Sequence, residues 1–146
     1  MTIKTITQND NIWNDVKEYA ENCSWRAGNA LARAMQRNSF EDWERVIMAV
    51  DGGKICGYCT IQKTDCIKNV PYTPYISFVF VDEEYREKRL SQKLIEYAMG
   101  YLRSIGFEKV YLISDHENLY EKYGFVVIDR KMAPWGEEEK IYMQKI

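Results

Sequence analysis

Two stretches of the chain carry residue types and spacings that can do chemistry. In the first, Val79-Phe-Val-Asp-Glu-Glu-Tyr-Arg-Glu-Lys-Arg-Leu-Ser-Gln-Lys-Leu94, an apolar strand passes through a short turn into a long helical pattern. The opening N–H groups of a helix lack intrahelical acceptors, and the helix dipole leaves partial positive charge there, so the junction suits a phosphate. From Asp82 to Lys93, four basic side chains (Arg86, Lys88, Arg89, Lys93) balance four acidic ones (Asp82, Glu83, Glu84, Glu87). Anion binding would therefore rest on backbone amides first and side-chain cations second. Taken alone, the same residues also describe a solvated charged turn. The second stretch, Ser114-Asp-His-Glu-Asn-Leu-Tyr-Glu-Lys-Tyr-Gly-Phe125, holds the only histidine, His116, close to Tyr120.

Cys56-Gly-Tyr-Cys59 has the spacing of a redox pair. Such pairs sit at helix N-termini, where the thiolate is stabilised. Here Lys54 to Ile61 reads as a strand, on which residues three apart point to opposite faces. A zinc site would need a second pair of ligands, and only Cys66 and His116 remain by type, without partner spacing. No metal is expected, and all four cysteines, Cys23 included, read as reduced, packed thiols.

The elements that must position these groups follow from periodicity. Thr2 to Thr7 alternates weakly as a first strand. Asn9-Asp10 offers an N-cap to a helix with Ile12, Val16, Tyr19, Ala20 and Cys23 on one face. A second helix runs through Ala27, Ala30, Leu31, Ala34 and Met35, with Ser24 as its expected cap. Arg45–Val50 and Ile55–Ile61 meet at Asp51-Gly52-Gly53, a hairpin turn signal. After the loop Asn69–Pro74, Ile76–Val81 is apolar on both faces, as a doubly covered central strand must be. The longest helix spans about Arg89 to Ile105 and stops at Gly106. Lys109–Ser114 is a strand, Asn118–Tyr123 a short helix ended by Gly124, and Phe125–Asp129 and Lys140–Lys145 are the last strands. The order β-α-α-β-β-β-α-β-α-β-β predicts an α/β fold: a mixed central sheet of about seven strands flanked by about four helices, in one domain over 1–146.

The composition excludes several function classes. Twenty basic against 22 acidic residues give a net charge of −2, which argues against wrapped nucleic acid. The longest apolar run, Tyr75–Val81, is far below the ~18 residues of a membrane span. The polar start has no apolar signal region, so a cytoplasmic location is expected.

Val79–Leu94 resembles the acyl-CoA-binding motif of the GNAT superfamily of N-acetyltransferases, a strand followed by Arg/Gln-x-x-Gly-x-Gly/Ala at a helix start. Ser114–Phe125 resembles the family's later motif, a short helix carrying Tyr-Glu-Lys-x-Gly-Phe. The match is sharp over about 76–130 and by element order elsewhere. Arg86 takes the first motif position and Val81 the strand end. Arg89 stands where glycine is usual, and Ser91 where Gly or Ala is usual. Helix-start dihedrals suit any L-residue, so Arg89 is expected to fit with its side chain outward. The resemblance implies an acetyl-CoA co-substrate held by Val79, Phe80, Val81, Arg86, Lys88, Arg89, Leu90, Ser91 and Gln92. Asn118 is expected to reach the pantetheine arm or cap the short helix.

The implied reaction is direct acetyl transfer to the primary amine of a small molecule or peptide. The amine must be neutral, and at a pKa near 10 only about one part in a thousand is so at pH 7. The thioester oxygen gains negative charge and needs a donor, which the resemblance places at a strand-end N–H at or beside Val81. The departing sulfur needs a proton, assigned to Tyr120, whose unperturbed acidity would match a thiolate's. Asp82, Glu84, Glu117 and His116 are the candidate bases. The acceptor site is expected from the first two helices, the loop before the central strand and the C-terminal hairpin, with Trp25, Arg26, Tyr72, Tyr75, His116 and Trp135. Glu137-Glu-Glu139 could attract a cation by field but reads mainly as a solvated turn. The alternative is a non-catalytic acyl-CoA-binding module whose glycine motif has drifted. A monomer or homodimer is expected, the latter by pairing an exposed edge of the C-terminal strand.

Overall fold

A computed structural model describes residues 1–146. Seven strands form one sheet: β1 (Thr2–Ile6), β2 (Arg45–Asp51), β3 (Lys54–Gln62), β4 (Tyr75–Val81), β5 (Lys109–Ser114), β6 (Val126–Met132) and β7 (Glu138–Lys145). Their spatial order is β1-β2-β3-β4-β5-β7-β6. Three α-helices flank them: α1 (Trp13–Asn22), α2 (Gly28–Arg37) and α3 (Leu90–Ser104). The expected mixed sheet is present. The fourth expected helix is a single 3-10 turn, Tyr120–Tyr123, because only a few residues separate Asn118 from the chain-reversing Gly124.

Strand alternation decides which helices cover which face. On β2, Val46 and Met48 turn toward α1 and α2, where Trp13, Val16, Ala20, Leu31 and Met35 complete one core. Ile47 and Ala49 turn the other way, toward Leu90, Leu94, Ile95, Ala98 and Leu102 of α3. The β2–β3 hairpin closes through Gly52 and Gly53, both at positive φ (56° and 80°), as its sequence predicts. Cys56 and Cys59 are both fully buried on β3.

Two expected caps are not made. Asp10 accepts instead from the Thr7 amide at 2.7 Å, closing the turn after β1, and α1 starts later, after Ile12. Ser24 is followed by a turn in which the Gly28 amide donates to Trp25 O at 3.0 Å, so Ala27 precedes α2 and Ser24 stays exposed. The C-terminal strand is not an edge either. β7 lies between β5 and β6, which leaves β1 and β6 as the sheet's edges.

The feature that makes room for a site is the β4–β5 junction. These parallel strands pair at one position, Tyr75 with Tyr111, and diverge beyond it. On β4, Phe78 adopts φ 51° where the register with β3 shifts, a bulge that bends the strand away from the regular ladder.

Candidate active site

Two adjoining cavities occupy the gap between the splayed strands. The larger, about 910 Å³, runs along the end of β4 and the start of α3. Val79, Phe80, Val81, Arg86, Arg89, Leu90 and Ser91 line it, all of them expected at the co-substrate site. The side chains of Lys88, Gln92 and Asn118 are not brought to it. The Lys88 ammonium lies 5.4 Å from the Tyr85 ring centre, and Gln92 donates to Glu96 at 3.2 Å. Asn118 sits exposed in a left-handed turn with φ 59°, and the 3-10 turn that follows has no side-chain cap. Tyr85, Leu119, Lys122 and Tyr123, which did not stand out in the sequence as site residues, also line it, as do the acidic Glu83 and Glu87.

The donors at the start of α3 are free. The first helical bond is Lys93 N–H to Arg89 O at 3.1 Å, and the amides of Leu90, Ser91 and Gln92 have no acceptor in the protein. Ser91 Oγ and Tyr123 Oη lie 2.7 Å apart, tying the head of α3 to the Tyr120 turn. On β4, Asp82 N–H donates to Cys56 O at 2.9 Å, so by strand alternation the Val81 N–H faces the opposite edge, toward the gap. The Val81 carbonyl accepts from Arg86 Nε at 3.2 Å, and the same guanidinium lies 5.9 Å from the Phe80 ring centre.

Arg89 departs from expectation in its backbone. It precedes α3 at φ 59°, ψ 26°, and Glu87 also has positive φ, at 65°. A non-glycine residue in this left-handed region costs roughly 1–2 kcal/mol, which explains why a glycine suits the position. Arg89→Gly should therefore raise stability by about 1 kcal/mol in urea unfolding, net of glycine's extra unfolded-state entropy. A loss of stability would mean that the guanidinium holds the turn together.

Tyr120 stands where the two cavities meet and lines both. Its ring packs at right angles to Tyr123 and Phe125, with centres 6.0 and 6.3 Å away, and at 5.8 Å from Tyr142. Gly124 makes this placement possible: it holds φ 95°, and a Cβ there would lie 2.5 Å from Gln144 Nε2. The stretch before Tyr120 is anchored through the His116 carbonyl, which accepts from Lys140 Nζ at 2.8 Å and Tyr142 Oη at 3.2 Å. The Tyr120 hydroxyl has no hydrogen-bond partner in the protein. Burial, and secondarily Tyr123, Cys59 and Tyr142, push its pKa above the ordinary 10.0. The match to a thiolate expected from unperturbed values is thus replaced by a hydroxyl that stays protonated. No activity loss from Tyr120 ionisation should then occur below pH 10, and kcat/KM should climb between pH 6 and 9 as the acceptor amine loses its proton. An alkaline fall near pH 8 that Tyr120→Phe abolishes would contradict this.

The second cavity, about 530 Å³, is within the usual range of ligand sites. Trp25, His116 and Trp135 line it as expected. Trp25 is stacked on Phe80, with ring centres 6.1 Å apart. Tyr75 does not line it: the residue is buried against Tyr111 beneath the strand junction. Tyr72 donates to Asp129 Oδ2 at 2.8 Å, and Arg26 is exposed outside the cavity. Residues not foreseen there are Asp65, Cys66, Ser77, Phe78 and Asp115, together with Glu139, which is buried rather than part of a solvated turn. Of the candidate bases, His116 alone lines either cavity, its ring centre 6.1 Å from that of Tyr120. Asp82 accepts from Tyr19 Oη at 2.9 Å, Glu84 pairs with Lys54 at 2.7 Å, and Glu117 pairs with Lys140 at 3.3 Å.

Comparison with known proteins agrees with this geometry. The model of the acetyltransferase (GNAT) family matches residues 10–125, and the chain belongs to that family. Among solved structures, an aminoglycoside 6'-acetyltransferase type Ii is similar with TM-score 0.76 and 16% identity, over 99% of this chain and 97% of that one. The aminoglycoside 6'-N-acetyltransferase of Enterococcus faecium gives TM-score 0.75 and 16% identity over the same shares. The Escherichia coli GNAT family N-acetyltransferase YhbS, solved with CoA, gives 0.73 and 18% over 99% and 80%. No curated protein matches the chain. No helix is long and apolar enough to cross a membrane.

Proposed function

We propose that the chain moves an acetyl group from acetyl-CoA to a primary amine by direct transfer, with Tyr120 as the proton donor. The observation that carries this reading is Tyr120, a buried residue that lines both cavities and whose hydroxyl has no partner in the protein and stays accessible from them. A pure binding module would have no need of such a group.

The larger cavity fits the co-substrate by its donor set: three free helix-start amides for a diphosphate, and an unpaired strand N–H for a carbonyl. When bound, acetyl-CoA supplies an acetyl group activated as a thioester. Leu90, Ser91 and Gln92 hold the phosphates through their amides. The Val81 N–H donates to the carbonyl oxygen as it gains negative charge, a contribution that strengthens toward the transition state. The acceptor nitrogen forms its bond to the carbonyl carbon while the carbon–sulfur bond breaks. The nitrogen's proton passes to His116 or solvent, and Tyr120 donates to the sulfur. Because Tyr120 is a weaker acid than free tyrosine, it acts first as a hydrogen-bond donor and releases its proton only as thiolate charge builds.

The test is release of free thiol from acetyl-CoA against a panel of amines and peptides. Release that requires both acetyl-CoA and an amine supports the enzyme. Tight CoA binding with no release across the panel would instead identify a non-catalytic acyl-CoA-binding module.

A further inference from the structure

The second cavity has a one-sided charge that the transfer reaction does not require. Three carboxylates line it, Asp65, Asp115 and Glu139, and no lysine or arginine does. Asp65 is engaged locally, accepting from Ser77 Oγ and the Cys66 amide, each at 2.6 Å. Glu139 is not. It is only 6% exposed, yet its carboxylate has neither a hydrogen bond nor an ion pair. Lys131, its register partner on β6, makes no ion pair with it, and Lys140 turns to Glu117 and the His116 carbonyl. Carboxylate oxygens of Asp115, Glu137 and Glu139 lie within 4.8 Å of one another. Burial, then Asp115, Glu137 and Asp65, raise the Glu139 pKa.

The Glu139 oxygens stay accessible from the cavity, and an unpaired carboxylate on a largely enclosed wall attracts a cation that arrives beside it. The reacting amino group must be neutral when it attacks beside Tyr120, so it is not the cation these carboxylates await. Resting on the transfer reading above, we infer that the acceptor carries at least two amino groups. Glu139, with Asp115 and Glu137 at the rim, holds one as an ammonium while another is presented at Tyr120. Trp25, Trp135 and Phe78 flank the same cavity and suit a cationic, partly apolar body. Monoamines of equal size would leave Glu139 unpaired and be poor substrates.

The experiment compares 1,5-diaminopentane with pentylamine, and an aminosugar bearing three or more amines with glucosamine. It uses thiol release from acetyl-CoA and calorimetric binding to the CoA-loaded protein. A hydrogen bond to a charged group sets the scale, so the polyamines should exceed the monoamines roughly 10- to 100-fold in kcat/KM. Glu139→Gln should shrink that ratio to about 3-fold or less, and Asp115→Asn should reduce it by a smaller factor. CoA affinity, read on the same variants, reports on folding. Equal kcat/KM for mono- and polyamines, or a ratio unchanged by Glu139→Gln, would overturn the inference while leaving acetyl transfer intact. Polyamine binding that Glu139→Gln weakens, without thiol release, would keep the carboxylate site and remove the transfer reading. Calorimetry showing Mg²⁺ or Ca²⁺ but no polyamine bound at Glu139 would overturn the inference in favour of a metal site.

Discussion

Tyr120→Phe is expected to lower kcat by about 100-fold or more, the usual scale for removing a positioned proton donor, with acetyl-CoA affinity changed less than about 3-fold. The split follows from where the residue sits. Its ring fills space among Tyr123, Phe125 and Tyr142, and phenylalanine keeps that packing. The hydroxyl makes no bond inside the protein, so its removal breaks nothing that holds the fold. The loss therefore falls on the step in which the sulfur becomes charged. Parallel losses in turnover and affinity, measured by steady-state kinetics and calorimetry, would make Tyr120 a packing residue instead.

Ser91→Asp is expected to separate folding from binding in the opposite way. A carboxylate in the first turn of α3 meets the positive end of the helix dipole, so thermal stability should hold or rise slightly. It also keeps an acceptor for the Tyr123 hydroxyl, which now lies 2.7 Å from Ser91 Oγ. A diphosphate approaching the same amides meets a like charge, and at about 4 Å and an effective dielectric near 20 that repulsion is roughly 4 kcal/mol. Acetyl-CoA affinity should fall at least about 100-fold, against a small change for Ser91→Ala. An affinity preserved in Ser91→Asp would mean that the phosphates lie elsewhere.

Much of the scaffold is legible locally. The Asp51-Gly52-Gly53 turn, the apolar run of β4 and the i, i+4 face of α3 each arise from short-range patterns, and each lies where the sequence puts it. The donor wall follows from them, since a strand running straight into a helix positions its own loop. What the sequence does not show comes from long-range pairing. Glu139 is buried because β7 is inserted between β5 and β6, and nothing in Glu137-Glu-Glu139 reports that neighbourhood. Tyr75 is withdrawn from the acceptor side because β4 and β5 meet at that very residue. Backbone strain is hidden as well: Arg89 looks like an ordinary helix-start residue until its φ of 59° is seen. The absent glycine was visible, but the conformation it would have eased was not.

The account turns on the three amides at the head of α3, and amide NMR reads them directly. On addition of acetyl-CoA, the Leu90, Ser91 and Gln92 N–H signals should move downfield and become protected from hydrogen exchange. Acetyl-pantetheine, which lacks the diphosphate, should leave them nearly unmoved. Saturation with acetyl-CoA that shifts Tyr120 and Val81 but leaves those three amides unchanged and freely exchanging would contradict the account.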